Sequence, residues 1–299
     1  MAESFLNQVL VLQITLGLPG NTRQVEHKKR VQFASENDAV PETVKIAKTL
    51  FTRKNCPEFY AIVKADNRMR KWLEQRSLPN YFGKGMYMVT EGVSQQVHEV
   101  VTEIFPARRE ALIADLGAVY PQRIAAAQRE MGQLFAALDF PQFEEYARGF
   151  VYRSMYRPKG IDQSLFILGD KAQAEEEKIR EEVQETRELI TTTLRAEFSK
   201  LISDMVERLK PGKDGQRKKF HNSSIVGFNT WLELFEQRNL LGDAALNSQV
   251  KEARRLLEGA SPEMLRSDDA LRHQVCEQFS QVQAYVDQNL KTGQIRMLR

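Results

Sequence analysis

The chain has 299 residues, 42% hydrophobic and 28% charged, with 43 Lys and Arg against 40 Asp and Glu and a net charge of +3. This balance suits a folded protein with room for one large core or two smaller ones, and it excludes wholesale disorder. It also excludes the strong cationic excess of a dedicated DNA-wrapping protein, so any electrostatic binding must come from local patches.

The opening stretch MAESFLNQVLVLQITLGLPG lacks a basic n-region and a small-residue cleavage site. Its apolar run is interrupted by Gln13, Thr15 and Gly17 and is too short to span a bilayer, so a cytoplasmic location is expected. Leu10, Leu12, Ile14, Leu16 and Leu18 recur at a period of two, which predicts a half-buried strand over Val9–Leu18. After the PGN turn, TRQVEHKKRVQFAS reads as a second strand, with Val31 and Phe33 on one face and His27, Lys28, Lys29 and Arg30 crowding an exposed edge.

Pro41 is expected to open a helix carrying Val44, Ala47, Leu50 and Phe51. A second helix after Pro57 carries Phe59, Ile62, Val63, Met69, Trp72 and Leu73. SLPNYFGKG breaks the pattern, and MYMVT reads as a short strand. From Ser94, a fair N-cap, Val97, Val100, Val101, Ile104 and Phe105 form a helical stripe that continues through Leu112, Ile113, Leu116 and Val119. Pro106 should kink or divide this helix, and Pro121 should begin another. A further helix is expected over Phe143, Tyr146, Phe150 and Tyr152, then a short strand in SLFILGD.

The longest regular stretch runs from about Lys171 to Leu209 without Pro or Gly. Its first half is acidic with sparse apolar positions, Ile179 and Val183. Its second half carries a heptad-like seam from Leu189 and Ile190 to Val206, the spacing of a coiled coil. Such a helix reaches roughly 57 Å at 1.5 Å per residue, so part of it should project or pack against a partner helix. Ile179, Val183, Leu189 and Ile190 are therefore candidate protein-interface residues. The basic loop KPGKDGQRKKF follows, then an amphipathic helix with Ile225, Phe228, Trp231, Leu232 and Phe235, and helices around Ala244–Leu257 and Asp268–Leu290.

These elements predict a mainly α (α+β) fold. A small N-terminal α/β element with a hairpin or short sheet precedes a multi-helix region with a long helical hairpin or stalk. The expected divisions are a small α/β domain (1–92), a helical core (93–169), and the long helix, basic loop and C-terminal helices (170–299).

The motif inventory is sparse. GLPGNTR and PGKDGQRKK contain Gly and basic residues without the Walker A spacing that wraps backbone amides around phosphates, and no G-x-G-x-x-G occurs. The four histidines lie in separate segments, with no H-E-x-x-H, and Cys56 and Cys276 form no C-x-x-C pair. One disulfide between them is conceivable, but two reduced thiols fit a cytosolic chain better. There is no G-x-S-x-G elbow. The sequence thus indicates no catalytic residue, cofactor site or metal ligand, although an active site assembled from distant residues stays open.

Three basic clusters are candidate nucleic-acid contacts: Lys28, Lys29 and Arg30; Arg68, Arg70 and Lys71 beside Trp72; and Lys210, Lys213, Arg217, Lys218 and Lys219 beside Phe220. Cations next to aromatics can hold a backbone and stack a base. Trp72 and Phe220 also fall on helical apolar stripes, and loops joining helices are usually charged. A binding role requires at least two clusters to converge.

Three phrases carry a resemblance: DNRMRKWLEQRSLPNYFGKGMYMV, YPQRIAAAQREMGQLFAALDFPQFEEYARGFVYRSMYRPKG and IVGFNTWLELFEQRNLLGDAALNSQVKEARRLL. They resemble a family of mainly helical proteins of bacteriophages, plasmids and integrative elements that has no assigned activity. The residues matching its pattern are Tyr120, Pro121, Gly132, Leu134, Phe135, Asp139, Pro141, Phe150, Tyr156 and Pro158. Phe140 stands where the family commonly has tyrosine, and Met131 where leucine is usual. The resemblance covers most of the chain and offers no catalytic residue to carry over. It implies a genetic neighbourhood of MoxR-type AAA+ ATPases, von Willebrand A-type proteins or recombination functions. The first expectation is therefore a non-enzymatic accessory or adaptor protein of a phage or mobile element, acting through helix-mediated assembly, with an AAA+ ATPase as one partner suggested by analogy. The second is direct DNA or RNA binding through loop 210–220, and the third an enzyme of unidentified class.

Overall fold

A computed structural model describes residues 8–79, 83–157, 172–211, 218, 222–258 and 260–289. The chain is mainly α with a small sheet, as its patterns predict, and it forms two compact units built from segments discontinuous in sequence. One takes in the chain through Leu12, Glu74–Ser94 and everything from Tyr156; the other takes in Gln13–Leu73 and Gln95–Met155.

The strands are β1 (Val9–Leu16), β2 (Thr22–Gln24), β3 (Ala47–Thr49), β4 (Ser77–Leu78), β5 (Met86–Thr90) and β6 (Tyr152–Arg157). Four of them form a sheet in the order β4-β5-β1-β6, with β4 and β5 antiparallel at Ser77↔Val89 and Leu78↔Met88. β2 and β3 form a separate antiparallel pair. The period-two reading of β1 holds in part: Val9, Val11, Leu12 and Ile14 are buried, whereas Leu10 and Leu18 are exposed.

In the unit of Gln13–Leu73 and Gln95–Met155, several expectations are corrected. Residues His27–Glu36 form a helix, α1, not a strand, and only Ala34 is buried on it while Val31 and Phe33 stay exposed. Lys, Arg, Gln, Ala and Glu are all good helix formers, and their summed propensity outweighs the apparent alternation. Conversely, Pro41 opens only a single 3-10 turn, Pro41–Thr43. The chain then extends into β3, whose Thr49, Lys48 and Ala47 face Thr22, Arg23 and Gln24. Asn21 closes this ribbon: its amide donates to the Phe51 carbonyl (2.8 Å) and accepts from the Phe51 N–H (2.8 Å). Leu50 and Phe51 thereby enter the core fully buried.

Helix α2 (Pro57–Arg76) follows as predicted, with Phe59, Ile62, Met69 and Leu73 buried at helical spacing. Helix α3 (Glu91–Glu99) starts ahead of Ser94, and the Ser94 hydroxyl donates back to the Glu91 carbonyl. It runs through a π turn, Val100–Ile104, into α4 (Phe105–Met131). The ring of a helical proline collides with the carbonyl four residues earlier. For Pro106 that carbonyl belongs to Thr102, inside the widened π turn. The helix is therefore not divided there; nor does it restart at Pro121, which lies within α4. Burial of Leu116, Tyr120 and Ala127 offsets the cost of that second proline.

Helix α5 (Phe143–Ala147) is short, and Tyr152 falls in β6 rather than on a continued helix. Gly117 allows α5 its approach, since a Cβ there would sit 2.5 Å from Phe143 Cε1. The core of this unit is aromatic: Phe51 lies 5.5 Å from Phe140, 5.8 Å from Tyr146 and 5.9 Å from Tyr120, centroid to centroid. Tyr120, Phe140 and Phe150, which belong to the resemblance pattern or stand within it, are thus packing residues. SLFILGD lies outside the described residues.

The other unit holds β4, β5, α6 (Ala172–Leu209), α7 (Asn222–Arg238), α8 (Ala244–Leu257), α9 (Pro262–Ser267) and α10 (Asp269–Asn289). α6 and α10 run antiparallel. Arg272 Nε donates to the Leu209 carbonyl (2.9 Å), and Ser199 reaches Asp287 (3.5 Å) ten residues further back along α6. Phe198, Met205, Phe228, Phe235 and Phe279 fill the space between α6, α7 and α10. Asp243 caps α8, accepting from the Leu246 N–H (3.1 Å) and from Arg195 Nε (2.6 Å).

Candidate functional site

The basic cluster of α1 is a solvated, partly anchored face. Lys28 is exposed, Lys29 donates to the Gln133 carbonyl beyond the end of α4, and Arg30 is half-buried. The cluster of α2 lies near the start of α4, where Arg68 and Arg108 line a common recess. Gln133 and Arg108 are separated by most of α4, roughly 35 Å at 1.5 Å per residue. These two clusters of one unit therefore do not converge.

Of the third cluster, Lys213, Arg217 and Lys219 lie outside the described residues. Lys210 and Lys218 share one carboxylate, Glu207, at 3.3 and 3.5 Å. Their hydrogen bonds and charge hold the Glu207 carboxyl below its ordinary range. Lys218 Nζ also donates to the Glu207 carbonyl, and its own carbonyl accepts from Arg272. Both described loop cations are thus engaged by α6.

The α2 cluster differs. Lys64, Arg68 and Lys71 stand at i, i+4 and i+7, so they share one helix face, and all three are exposed. With Arg53, which lies 5.6 Å over the Tyr60 ring, they line an open groove of about 750 Å³ that also takes in Pro57, Ala61 and Asn67. No carboxylate lines it. Arg70 points aside and donates to Asn67 (3.2 Å).

One residue round the helix, Ala65, Met69 and Trp72 form a second stripe. Together with Val100, Ile104 and Phe105 they line an apolar slot of about 190 Å³, edged by Arg68 and Arg108. Ile104 is 52% exposed, on the π turn beside Pro106. π turns recur at functional positions because they present side chains that a regular helix would turn away. Among the described residues, Lys64, Arg68, Lys71 and Arg108 have no ion-pair partner. The 64/68/71 spacing is legible in the sequence; the slot is not, because Val100, Ile104 and Phe105 come from another helix.

The candidate interface residues of α6 are largely internal. Val183 and Ile190 are 2% and 1% exposed. They belong to one core cluster with residues of α7, α8 and α10 and with Val9, Leu78 and Met88 of the strands. Ile179 packs partly buried against that cluster, and Leu189 is half-buried. The seam thus meets its own chain and offers no vacant stripe at Val183 or Ile190.

Other buried polar groups serve the scaffold. Asp66 and Arg109 pair inside the aromatic unit, and Lys48 bridges Asp139 (2.6 Å) and the Leu134 carbonyl (2.6 Å). Burial pushes the Cys56 thiol up to about 11, with the Glu58 charge adding to the rise, so Cys56 is an inert packing residue. Burial likewise raises Tyr120 to about 12 and Tyr146 further. Both cysteines are free thiols. Among the described residues no three His, Cys, Asp or Glu side chains are grouped to hold a metal ion, and no helix is long and apolar enough to cross a membrane. Compared with known proteins, the chain matches no family profile, no curated protein and no solved structure.

Proposed function

We propose that the chain is a non-enzymatic accessory or adaptor protein that works by docking a partner protein on an exposed helix face. The observation that carries this reading is the α2 face, where an apolar slot containing the half-exposed Ile104 adjoins a stripe of unpaired cations. Isolated surface apolar residues need no explanation, but an apolar recess with a charged edge is the form of an interaction surface. The resemblance to phage and mobile-element proteins extends the proposal to that setting, with an AAA+ ATPase as the partner it suggests.

A second reading, direct binding of DNA or RNA, is favoured by the groove of Arg53, Lys64, Arg68 and Lys71, which has cations, an aromatic ring and no carboxylate. The deciding experiment pairs two assays on wild type and an Arg68→Glu/Lys71→Glu variant. Affinity capture should recover a partner in near-stoichiometric amount with wild type and lose it with the variant. Fluorescence anisotropy with labelled single- and double-stranded DNA across a salt series should show no binding. Salt-dependent DNA binding whose slope shrinks in the variant would put the second reading first.

A further inference from the structure

We propose that the α2 face docks an acidic amphipathic segment of a partner protein, with one aliphatic or aromatic side chain of that segment seated in the slot against Ile104. The inference rests on the adaptor reading and names the chemistry of its partner.

Two stripes of one helix lie side by side, Lys64, Arg68 and Lys71 next to Ala65, Met69 and Trp72. Over those positions α2 advances roughly 10 Å, two turns of helix. A ligand complementary to both must carry negative charge along one edge and an apolar side chain along the other. An amphipathic helix supplies these at i, i+3 and i+4.

The slot sets the size of the anchor. About 190 Å³ is below the range of ordinary small-molecule sites and suits a single large side chain. Its floor, Met69 and Phe105, is buried at 4% and 6% exposure, so the recess is a preformed packing surface. Arg68 lines both slot and groove, placing a cation at the junction where a carboxylate beside the anchor would fall.

The apolar slot, not charge, decides between a protein and a nucleic acid here. A phosphate backbone would use the cations of the groove but gain nothing from Val100 and Ile104. A carboxylate-bearing peptide uses both features. Three carboxylates stand next in sequence to lining residues, Asp66, Glu99 and Glu103, and none of them lines the slot; Asp66 is turned to Arg109.

The test uses the full-length protein. A displayed library of random peptides of about 16 residues, enough for four helical turns, is selected against it, and the dominant peptide is labelled for anisotropy. Enriched sequences should combine Asp or Glu with large apolar residues at helical spacing. The Kd of the labelled peptide should rise about tenfold or more with Arg68→Glu/Lys71→Glu and separately with Ile104→Ser. Lys28→Glu, on α1, should leave it unchanged. Ile104 is on the surface, and an unchanged Tm shows that its variant folds. Enriched peptides insensitive to both α2 variants overturn this site while leaving the adaptor reading in place. If no acidic peptide is enriched and a labelled oligothymidylate strand binds and is lost in the charge variant, both the inference and the adaptor reading fall. Absence of any binding overturns the inference alone.

Discussion

Arg109 and Asp66 meet as a two-pronged ion pair, Nε to Oδ1 at 2.8 Å and an Nη2 bond to Oδ2 at 3.1 Å, with exposures of 3% and 1%. The same Nη2 donates to the Gly17 carbonyl (2.8 Å), and the guanidinium stands 5.9 Å from the Phe150 ring. One side chain of α4 thereby fixes α2 and the end of β1. Removing one partner of such a pair strands a buried charge, whereas replacing both by apolar groups can be nearly neutral. Arg109→Met should therefore lower stability by about 3–5 kcal/mol. Asp66→Leu with Arg109→Met should recover much of that loss. Urea midpoints of the two variants check the order; equal losses would refute it.

Gly117→Ala tests the packing of α5. In an open helix this change stabilises by about 1 kcal/mol. Here the new Cβ would stand 2.5 Å from Phe143 Cε1 and 3.0 Å from two further ring atoms. Overpacking of this kind costs about 1–3 kcal/mol, so the net effect should be a loss of stability. Phe143→Ala introduced together with Gly117→Ala should relieve the clash.

Glu197 accepts from Trp231 Nε1 (2.8 Å) and twice from Arg238 (2.7 and 3.1 Å), and Arg238 is 3% exposed. Glu197→Ala leaves that guanidinium without its carboxylate and should cost about 2–3 kcal/mol. Glu252→Ala removes a solvent-exposed partner of Arg255 and should change stability by less than about 1 kcal/mol. Thermal melts of both variants separate the buried clamp from the surface pair.

The buried acids of the aromatic core predict alkaline sensitivity. Cys56 and Tyr120 have folded-state values raised by burial to about 11 and about 12. Between the unfolded and folded values the unfolded chain binds fewer protons, so stability falls as pH rises. The stabilisation is intact below about pH 8.5, where both states hold the thiol proton. It should decline by roughly 2 kcal/mol for Cys56 alone as pH approaches 11. Urea titrations at neutral and alkaline pH check the decline. Cys56→Ala should flatten part of it, and native Cys56 should resist thiol reagents until the protein unfolds.

The sequence by itself determined the elements whose evidence is local. The unbroken helix-forming run from Ala172 to Leu209, the amphipathic stripe of α7 and strand β5 follow from periods and breakers within a few residues of each element. Of the cationic stripe, sequence reasoning names Arg68 and Lys71, misses Lys64, and includes Arg70, which turns to Asn67 instead. Tertiary structure alone decided the rest. Residues 47–49 become a strand because Thr22–Gln24 and Asn21 supply the missing hydrogen bonds. Helix α4 passes Pro121 because Leu116, Tyr120 and Ala127 are buried around it. Asp66 is a buried anchor because its partner stands 43 residues away, a separation that leaves no trace in local pattern. The slot beside Trp72 exists only where a π turn of one helix meets another. Local sequence fixes period and punctuation, while packing free energy selects which faces meet, and the candidate docking surface belongs to that second kind of information.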